Sequence, residues 1–205
     1  MTRKAPMPRL ILATRNAAKL TEFRRILRPL LPGVRLLSLR RFRAEPIHES
    51  GRTFEQNARL KALAAAKQTG MVALADDSGL EVEALGGAPS VRSSRFAGPT
   101  DEDRTAEVLR LLRSVPANKR RAKFVCAAAV ATPDGKVKVV RAECRGQITY
   151  QPRGRAGFGY DPIFVHEGYT RTFAQVTRAE KDRLSHRGKA LRKAAALVRD
   201  ALARM

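Results

Sequence analysis

Short apolar runs alternate along this chain with segments of helical periodicity, and this alternation restricts the fold more than any other feature. Residues 10–13 (Leu-Ile-Leu-Ala) predict a buried strand, and residues 34–39 predict another. Between them, apolar side chains recur at helical spacing: Leu20, Phe23, Ile26, Leu27 and Leu30. Residues 53–56 (Thr-Phe-Glu-Gln) form a capping-box pattern, which predicts an Ala-rich helix that continues to about Lys67.

The second half of the chain continues the same alternation. Residues 100–103 (Thr-Asp-Glu-Asp) predict the capped start of a helix whose inward face carries Val108, Leu109, Leu111 and Leu112. Residues 122–132 and 136–145 predict two strands joined in a hairpin about Pro133-Asp134-Gly135. A long helix follows Ser185, and its apolar stripe consists of Leu191, Ala194, Val198, Ala201 and Leu202. This order of elements predicts an α/β fold with a mixed sheet.

The composition is typical of a soluble protein with one domain. The chain has 205 residues, of which 43% are hydrophobic, and no apolar run approaches the roughly 18 residues needed to cross a membrane. We expect a single two-lobed domain over residues 1–205, with a disordered N-terminus at residues 1–8. No apolar segment of a signal peptide follows that N-terminus, so we expect a cytoplasmic protein. Cys126 and Cys144 lie in the two hairpin strands on opposite faces, which predicts no disulfide.

The net charge of +22 raises nucleic acid as a partner, because basic proteins are attracted to phosphate over long distances. The basic residues are nevertheless spread along the chain, and aromatic residues, which stack on single-stranded bases, make up only 5%. We therefore expect nucleic-acid binding that is at most weak and non-specific.

Two adjacent carboxylates, Asp76 and Asp77, follow an apolar run at residues 71–75 and precede Ser78-Gly79. The pattern predicts a strand that ends in a Gly-containing turn. Neighbouring like charges repel each other, and a divalent cation at this point would reverse the sign of the interaction. The alternative is a solvated turn in which an Asp side chain bonds its own backbone.

Two other segments carry groups suited to a phosphate and a metal. The residues between the first strand and the first helix, Thr14-Arg15-Asn16-Ala17-Ala18-Lys19, place a hydroxyl, an amide, backbone N–H groups and an ammonium at a helix start. They predict an anion site, with an ordinary capped helix as the alternative. Glu49, in a loop, would provide a second hard oxygen ligand beside Asp77, and Mg²⁺ commonly takes one or two protein carboxylates.

Two segments near the C-terminus carry groups suited to a nucleobase. Gly157-Phe158-Gly159-Tyr160-Asp161 places two aromatic rings among glycines that permit close backbone approach. Phe158 or Tyr160 offers a flat face for a base, although a tight turn with both rings in the core is the alternative. Lys181, His186 and Arg187 gather hydrogen-bond donors at the start of the last helix.

Together these segments resemble the inosine triphosphate pyrophosphatase family in five ordered blocks that cover nearly the whole chain. The blocks are Thr14-x-Asn16-x-x-Lys19, Glu49-Ser50-Gly51-x-Thr53-Phe54-x-x-Asn57-Ala58, Ala75-Asp76-Asp77-Ser78-Gly79-Leu80, Gly157-Phe158-Gly159-Tyr160-Asp161-Pro162 and Ser185-His186-Arg187-Gly188-Lys189. The resemblance implies an elongated mixed β-sheet with flanking helices and two lobes around a nucleotide-binding cleft. It also implies a homodimer and Mg²⁺-dependent hydrolysis of ITP, dITP, XTP and dXTP to the monophosphate and pyrophosphate.

The resemblance also assigns roles to individual residues. It places metal ligation on Glu49 and Asp77, and proton acceptance on Asp77. Substrate binding falls on Thr14, Arg15, Asn16, Ala17, Ala18, Lys19, Ser78, Phe158, Gly159, Tyr160, Asp161, Lys181, His186 and Arg187.

The chain departs from the family pattern at Arg15, where a Gly is common, and at Ser50, Gln56 and Ser90. Arg15 puts the loop conformation in question, but no departure removes a proposed ligand. Two alternative functions remain: a related pyrophosphatase that acts on modified pyrimidine or other nucleotides, and a basic nucleic-acid-binding protein.

Overall fold

A computed structural model describes residues 7–205, so the predicted disorder of residues 1–8 falls largely outside the described part of the chain. The fold is α/β, as predicted. Its strands are β1 (Arg9–Leu12), β2 (Arg35–Ser38), β3 (Ala73–Val82), β4 (Arg121–Ala131), β5 (Val137–Ile148) and β6 (Phe164–His166). Its helices are α1 (Ala17–Leu27), α2 (Phe54–Thr69), α3 (Asp101–Leu111), α4 (Arg178–Leu184) and α5 (His186–Leu202).

The six strands form one mixed sheet in the order β2-β1-β3-β4-β5-β6. Strand β1 pairs in parallel with both β2 and β3, while β5 and β6 are antiparallel. The predicted hairpin joins β4 to β5, and its turn is closed by the Thr132 N–H, which donates to the Lys136 carbonyl at 2.9 Å. Parallel pairing at one end and antiparallel pairing at the other confirm the predicted mixed sheet.

The chain divides into two compact units, each with its own core. Within residues 7–205, unit 1 comprises residues 7–76, 127–140 and 191–205, and unit 2 comprises residues 77–126 and 141–190. The core of unit 2 includes Leu80, Val82, Val108, Leu112, Phe124, Tyr160, Ile163, Phe164 and Phe173. Buried residues of unit 1 include Leu10, Ile11, Leu12, Phe23, Leu27, Phe54, Ala62, Leu74, Leu191, Ala194 and Val198.

Reciprocal capping boxes begin three of the helices. The pairs Thr53 with Gln56 and Thr100 with Asp103 cap α2 and α3, as the sequence predicts. A third box, Thr177 with Glu180, begins the short helix α4, which the sequence analysis missed. These local bonds explain why the starts of α2 and α3 follow directly from the residue pattern.

The prediction that the strand at residues 71–75 ends at Asp76 and runs into a Gly-containing turn is wrong. Asp76 and Asp77 both lie inside β3, which continues to Val82. This strand lies between β1 and β4 in the sheet, and Leu80 and Val82 are fully buried in the core of unit 2. Pairing and burial therefore outweigh the poor strand propensity of Asp and Gly.

Two smaller observations complete the fold. Leu111, predicted to face inward, is 38% exposed, whereas Val108 and Leu112 are fully buried as predicted. Within residues 7–205, every helix is too short or too polar to span a lipid bilayer.

Candidate active site

The loop between β1 and α1 supplies the N-cap residue of α1. The Asn16 side chain accepts from the Lys19 N–H at 3.0 Å, and the Asn16 N–H donates to Thr14 Oγ1 at 3.2 Å. Ala17 and Ala18 then begin α1, so their N–H groups belong to the first helical turn. A helix N-terminus with this geometry attracts anions through its oriented N–H groups and its dipole.

Arg15 does not disturb this loop. Its guanidinium donates to the Ala44 carbonyl at 2.7 Å, and its own carbonyl accepts from Arg40. Among residues 7–205, Ser90 is the one residue other than glycine with a positive φ, so the φ of Arg15 lies in the range that any residue can adopt. The departure from the common Gly at this position is therefore accommodated without strain.

Lys19 is bound by Asp76. Its Nζ donates to both carboxylate oxygens at 3.1 Å, and the two side chains are 17% and 1% exposed. The family resemblance implies no role for Asp76. The structure gives it a definite partner within unit 1.

Glu49 lies in the loop before α2, where neighbouring bonds fix the backbone. The Asn57 side chain, fully buried, accepts from the Gly51 N–H at 2.8 Å. A Cβ on Gly51 would lie 2.6 Å from Asn57 Oδ1, which explains the glycine. Lys61 Nζ lies 3.3 Å from Glu49 Oε1 in an ion pair. The sequence did not reveal this partner of Glu49.

In unit 2, Asp77 and Ser78 follow directly along β3. Asp77 is 7% exposed. Arg187, which is 3% exposed, donates through Nη2 to Ser78 Oγ at 2.7 Å. The structure therefore brings together two of the predicted substrate-binding residues, although they are 109 positions apart in the chain.

Phe158 is surrounded by charged groups of unit 2. Asp161 Oδ2 accepts from the Phe158 N–H at 2.9 Å and from Lys181 Nζ in a buried ion pair. The Phe158 ring has Lys181 Nζ at 4.8 Å from its centroid and Arg187 Cζ at 5.4 Å. Cations at such distances from an aromatic face are attracted to it. Four of the residues predicted to read the base thus form one cluster.

Two further residues predicted to bind the base, Tyr160 and His186, have buried side chains. Tyr160 is 4% exposed, its hydroxyl donates to the Ser93 carbonyl at 2.9 Å, and burial raises the pKa of that hydroxyl. The ring of His186 stacks on Phe124 with a centroid distance of 4.6 Å, and its Nδ1 lies 4.0 Å from Cys144 Sγ. Of the two candidate aromatic faces, Phe158 is therefore the accessible one.

The candidate metal ligands are hard oxygen donors. Among residues 7–205, no group of three or more His, Cys, Asp or Glu side chains is arranged to hold a metal. Glu49 belongs to unit 1 and Asp77 to unit 2. Carboxylate oxygens are ligands that suit Mg²⁺, which keeps several waters and takes phosphate oxygens as further ligands.

A sequence model of the Ham1 family matches residues 10–197. The chain belongs to the Ham1 family. This Ham1-family protein is 50% identical over 201 residues to a dITP/XTP pyrophosphatase of Frankia alni, a match that covers 95% of this chain and 98% of the relative. A dITP/XTP pyrophosphatase of Streptomyces avermitilis is 47% identical over 199 residues, covering 96% of this chain and 100% of the relative.

Solved structures agree with the family assignment. A HAM1 protein from Coxiella burnetii is 40% identical with a TM-score of 0.84, and the match covers 95% of this chain and 100% of that chain. The family resemblance and the α/β fold inferred from the sequence are therefore confirmed.

Proposed function

We propose that this Ham1-family protein hydrolyses non-standard purine nucleoside triphosphates, ITP, dITP, XTP and dXTP, to the monophosphate and pyrophosphate, with Mg²⁺ as cofactor. The observation that carries the proposal is the cluster of Lys181, Arg187 and Asp161 around the Phe158 ring. The names of relatives that are 46–50% identical over at least 90% of this chain support the same activity.

The cluster suits hypoxanthine and xanthine better than adenine. Both preferred bases carry a carbonyl at position six, which accepts hydrogen bonds from Lys181 or Arg187. Adenine carries an amino group there, so a donor would face a donor. A buried donor left without a partner costs about 1–3 kcal/mol, and sites built around a substrate hydrogen bond can reject the wrong base by roughly 10⁴. Phe158 would support the base by stacking.

Residues of unit 1 would bind the phosphates. The first turn of α1 offers the N–H groups of Ala17 and Ala18, and Lys19 adds a positive charge. Lys19 is held by Asp76, so the ammonium is oriented before substrate arrives. The group that binds the triphosphate is therefore largely preorganised, which reduces the entropy lost on binding.

Glu49 and Asp77 would hold Mg²⁺. When bound, the ion neutralises charge that develops on the phosphate oxygens as the anhydride breaks. We assign proton acceptance from the attacking water to Asp77. Asp76 is bound to Lys19 through both of its oxygens, so we assign it the positioning of Lys19 instead.

Pyrophosphate release from a panel of nucleoside triphosphates tests the proposal. We expect ITP and XTP to be hydrolysed at least about 10²-fold more efficiently than ATP, and activity to vanish with chelator and return with Mg²⁺. Asp77→Asn should retain the fold and lose at least roughly 10²-fold in turnover, and Asp76→Asn should lose less. The matched control is Asp134→Asn in the hairpin turn, where the side chain is 53% exposed. Equal hydrolysis of ATP and ITP, or a fully active Asp77→Asn variant, would refute the proposal.

The resemblance also implies a homodimer, and we propose that state for this chain. Light scattering coupled to size exclusion should give about twice the monomer mass of 22.6 kDa. A solution mass equal to that of the monomer at micromolar concentration would contradict it.

A further inference from the structure

The first turn of α3 is bonded to the glycine that follows Phe158. The Gly159 N–H donates to Asp101 Oδ2 at 2.6 Å, and hydrogen bonds to a charged acceptor are shorter and stronger than those between neutral groups. The other oxygen, Oδ1, accepts from Arg104 in an ion pair. Thr105 Oγ1 lies 3.5 Å from the Gly159 carbonyl. Both polar groups of the Gly159 backbone therefore face the same helical turn.

Helix α3 does not need Asp101 for its own capping. Thr100 and Asp103 form the complete capping box, in which the Asp103 N–H donates to Thr100 Oγ1 and the Thr100 N–H donates to Asp103 Oδ2, both at 3.0 Å. The Asp101 carboxylate instead contacts Gly159, a residue 58 positions away. One oxygen of Asp101 thus serves the loop, while the other pairs with Arg104 on the helix.

Phe158 is held between two carboxylates. Its own N–H donates to Asp161 at 2.9 Å, and the next N–H along the chain, that of Gly159, donates to Asp101. The peptide groups on both sides of the Phe158 Cα are therefore anchored. Gly159 has a φ of +61°, a conformation that favours glycine, so this loop depends on such anchors to keep one shape.

We propose that Asp101 is a positioning residue for base recognition, which orients the Phe158 ring by anchoring the Gly159 amide. The inference rests on the proposed function and deepens it. Asp101 acts through the loop and touches no part of the nucleotide. Its loss would loosen the Phe158 ring and, with it, the Lys181 and Arg187 donors that lie over that ring, while the groups that bind phosphate and carry out hydrolysis remain unchanged.

Steady-state kinetics of Asp101→Ala with ITP and ATP test the inference. We expect KM for ITP to rise about 10-fold, with kcat within about twofold, because a hydrogen bond to a charged group is lost from the binding loop. KM for ATP should change less than about twofold, so the preference for ITP falls. Asp101→Asn should show a smaller loss, because its one amide oxygen can still accept from the Gly159 N–H, although it cannot accept from Arg104 as well.

Asp103→Ala is the matched control, since it removes a carboxylate from the same helical turn. It breaks the capping box and should lower the melting temperature by about 2–4 °C, yet leave the ratio of ITP to ATP efficiency unchanged. Hydrogen exchange at the Gly159 amide provides a readout that needs no substrate. Exchange should accelerate at least about 10-fold in Asp101→Ala and stay slow in Asp103→Ala.

Equal losses toward ITP and ATP in Asp101→Ala, no loss at all, or the same loss of preference in Asp103→Ala would overturn the inference. The wild-type protein separates this failure from a failure of the proposed function. If the wild type prefers ITP and Asp101→Ala retains that preference, only the positioning role is wrong. If the wild type itself shows no preference, the proposed function is wrong.

Discussion

Replacing Gly157 by Ala should damage the base cluster more than any other change of similar size. Gly157 has a φ of +80°, and an added Cβ would lie 2.1 Å from Asp161 Oδ2. That oxygen accepts from both Phe158 and Lys181. The carboxylate must therefore move, and the bonds that it makes must break.

The loss of stability expected for Gly157→Ala has two parts. A side chain in left-handed backbone space costs about 1–2 kcal/mol. Displacing Asp161 disrupts an ion pair whose side chains are 3% and 7% exposed, and breaking a buried pair costs about 3–5 kcal/mol when one partner is removed. We expect about 3 kcal/mol here, because the partner is displaced and not deleted, which gives a total of about 4–5 kcal/mol.

Gly135→Ala provides the control that isolates the steric part. Gly135 lies in the hairpin turn with a φ of +88°, and an added Cβ there meets nothing within 4 Å. Both variants place a side chain in left-handed backbone space and lose about the same stability for that reason. The difference between their losses of stability therefore measures the effect of displacing Asp161. For a protein of this size, 1 kcal/mol shifts Tm by about 2–4 °C, so Gly157→Ala should melt about 6–12 °C below Gly135→Ala.

Scanning calorimetry and kinetics with ITP check this expectation. Gly157→Ala should also lose most of its efficiency toward ITP, while Gly135→Ala keeps it. If the two variants melt together and Gly157→Ala keeps its preference for ITP over ATP, then Asp161 does not support the base cluster in the way that its contacts indicate.

Three further predictions concern recognition, pH and charge. Arg187→Ala should lower kcat/KM for ITP at least roughly 10-fold more than for ATP, and equal losses would show that Arg187 does not read the base. Burial raises the pKa of the Cys144 thiol to about 11 from 9.0, so the folded state favours the neutral thiol; stability from this group is complete below about pH 9 and is lost as the pH rises toward 11. Cys144→Ala should remove that part of the decline in Tm, and an unchanged decline would contradict the assignment. Filter binding over a salt series should show that RNA and duplex DNA bind loosely and dissociate near physiological salt, whereas tight, salt-resistant binding would favour a nucleic-acid function.

Local patterns allowed the helix starts to be predicted. A capping box is complete within four residues, so Thr53 to Gln56 and Thr100 to Asp103 show it directly in the sequence. The anion loop from Thr14 to Lys19 is equally local. Its N-cap bond joins residues only three positions apart.

Long-range contacts explain what the sequence could not predict. The continuation of β3 through Asp77 depends on pairing with neighbouring strands, which no local propensity reveals. Asp76 meets Lys19 across 57 positions, and Asp101 meets Gly159 across 58. The sequence makes Tyr160 a candidate surface for a base because it follows the Gly157-Phe158-Gly159 run, yet tertiary packing buries its ring.

The ion pair between Lys19 and Asp76 limits how this sequence can change over time. The Asp76 side chain is 1% exposed, so replacing Lys19 alone would leave a carboxylate buried without its ammonium. Removing one partner of a buried ion pair costs about 3–5 kcal/mol, a large fraction of the stability of a typical domain. Substitutions that keep the stability unchanged must therefore alter both positions almost together. In a mutational scan, the effect on stability of each substitution at one position should depend strongly on the residue at the other.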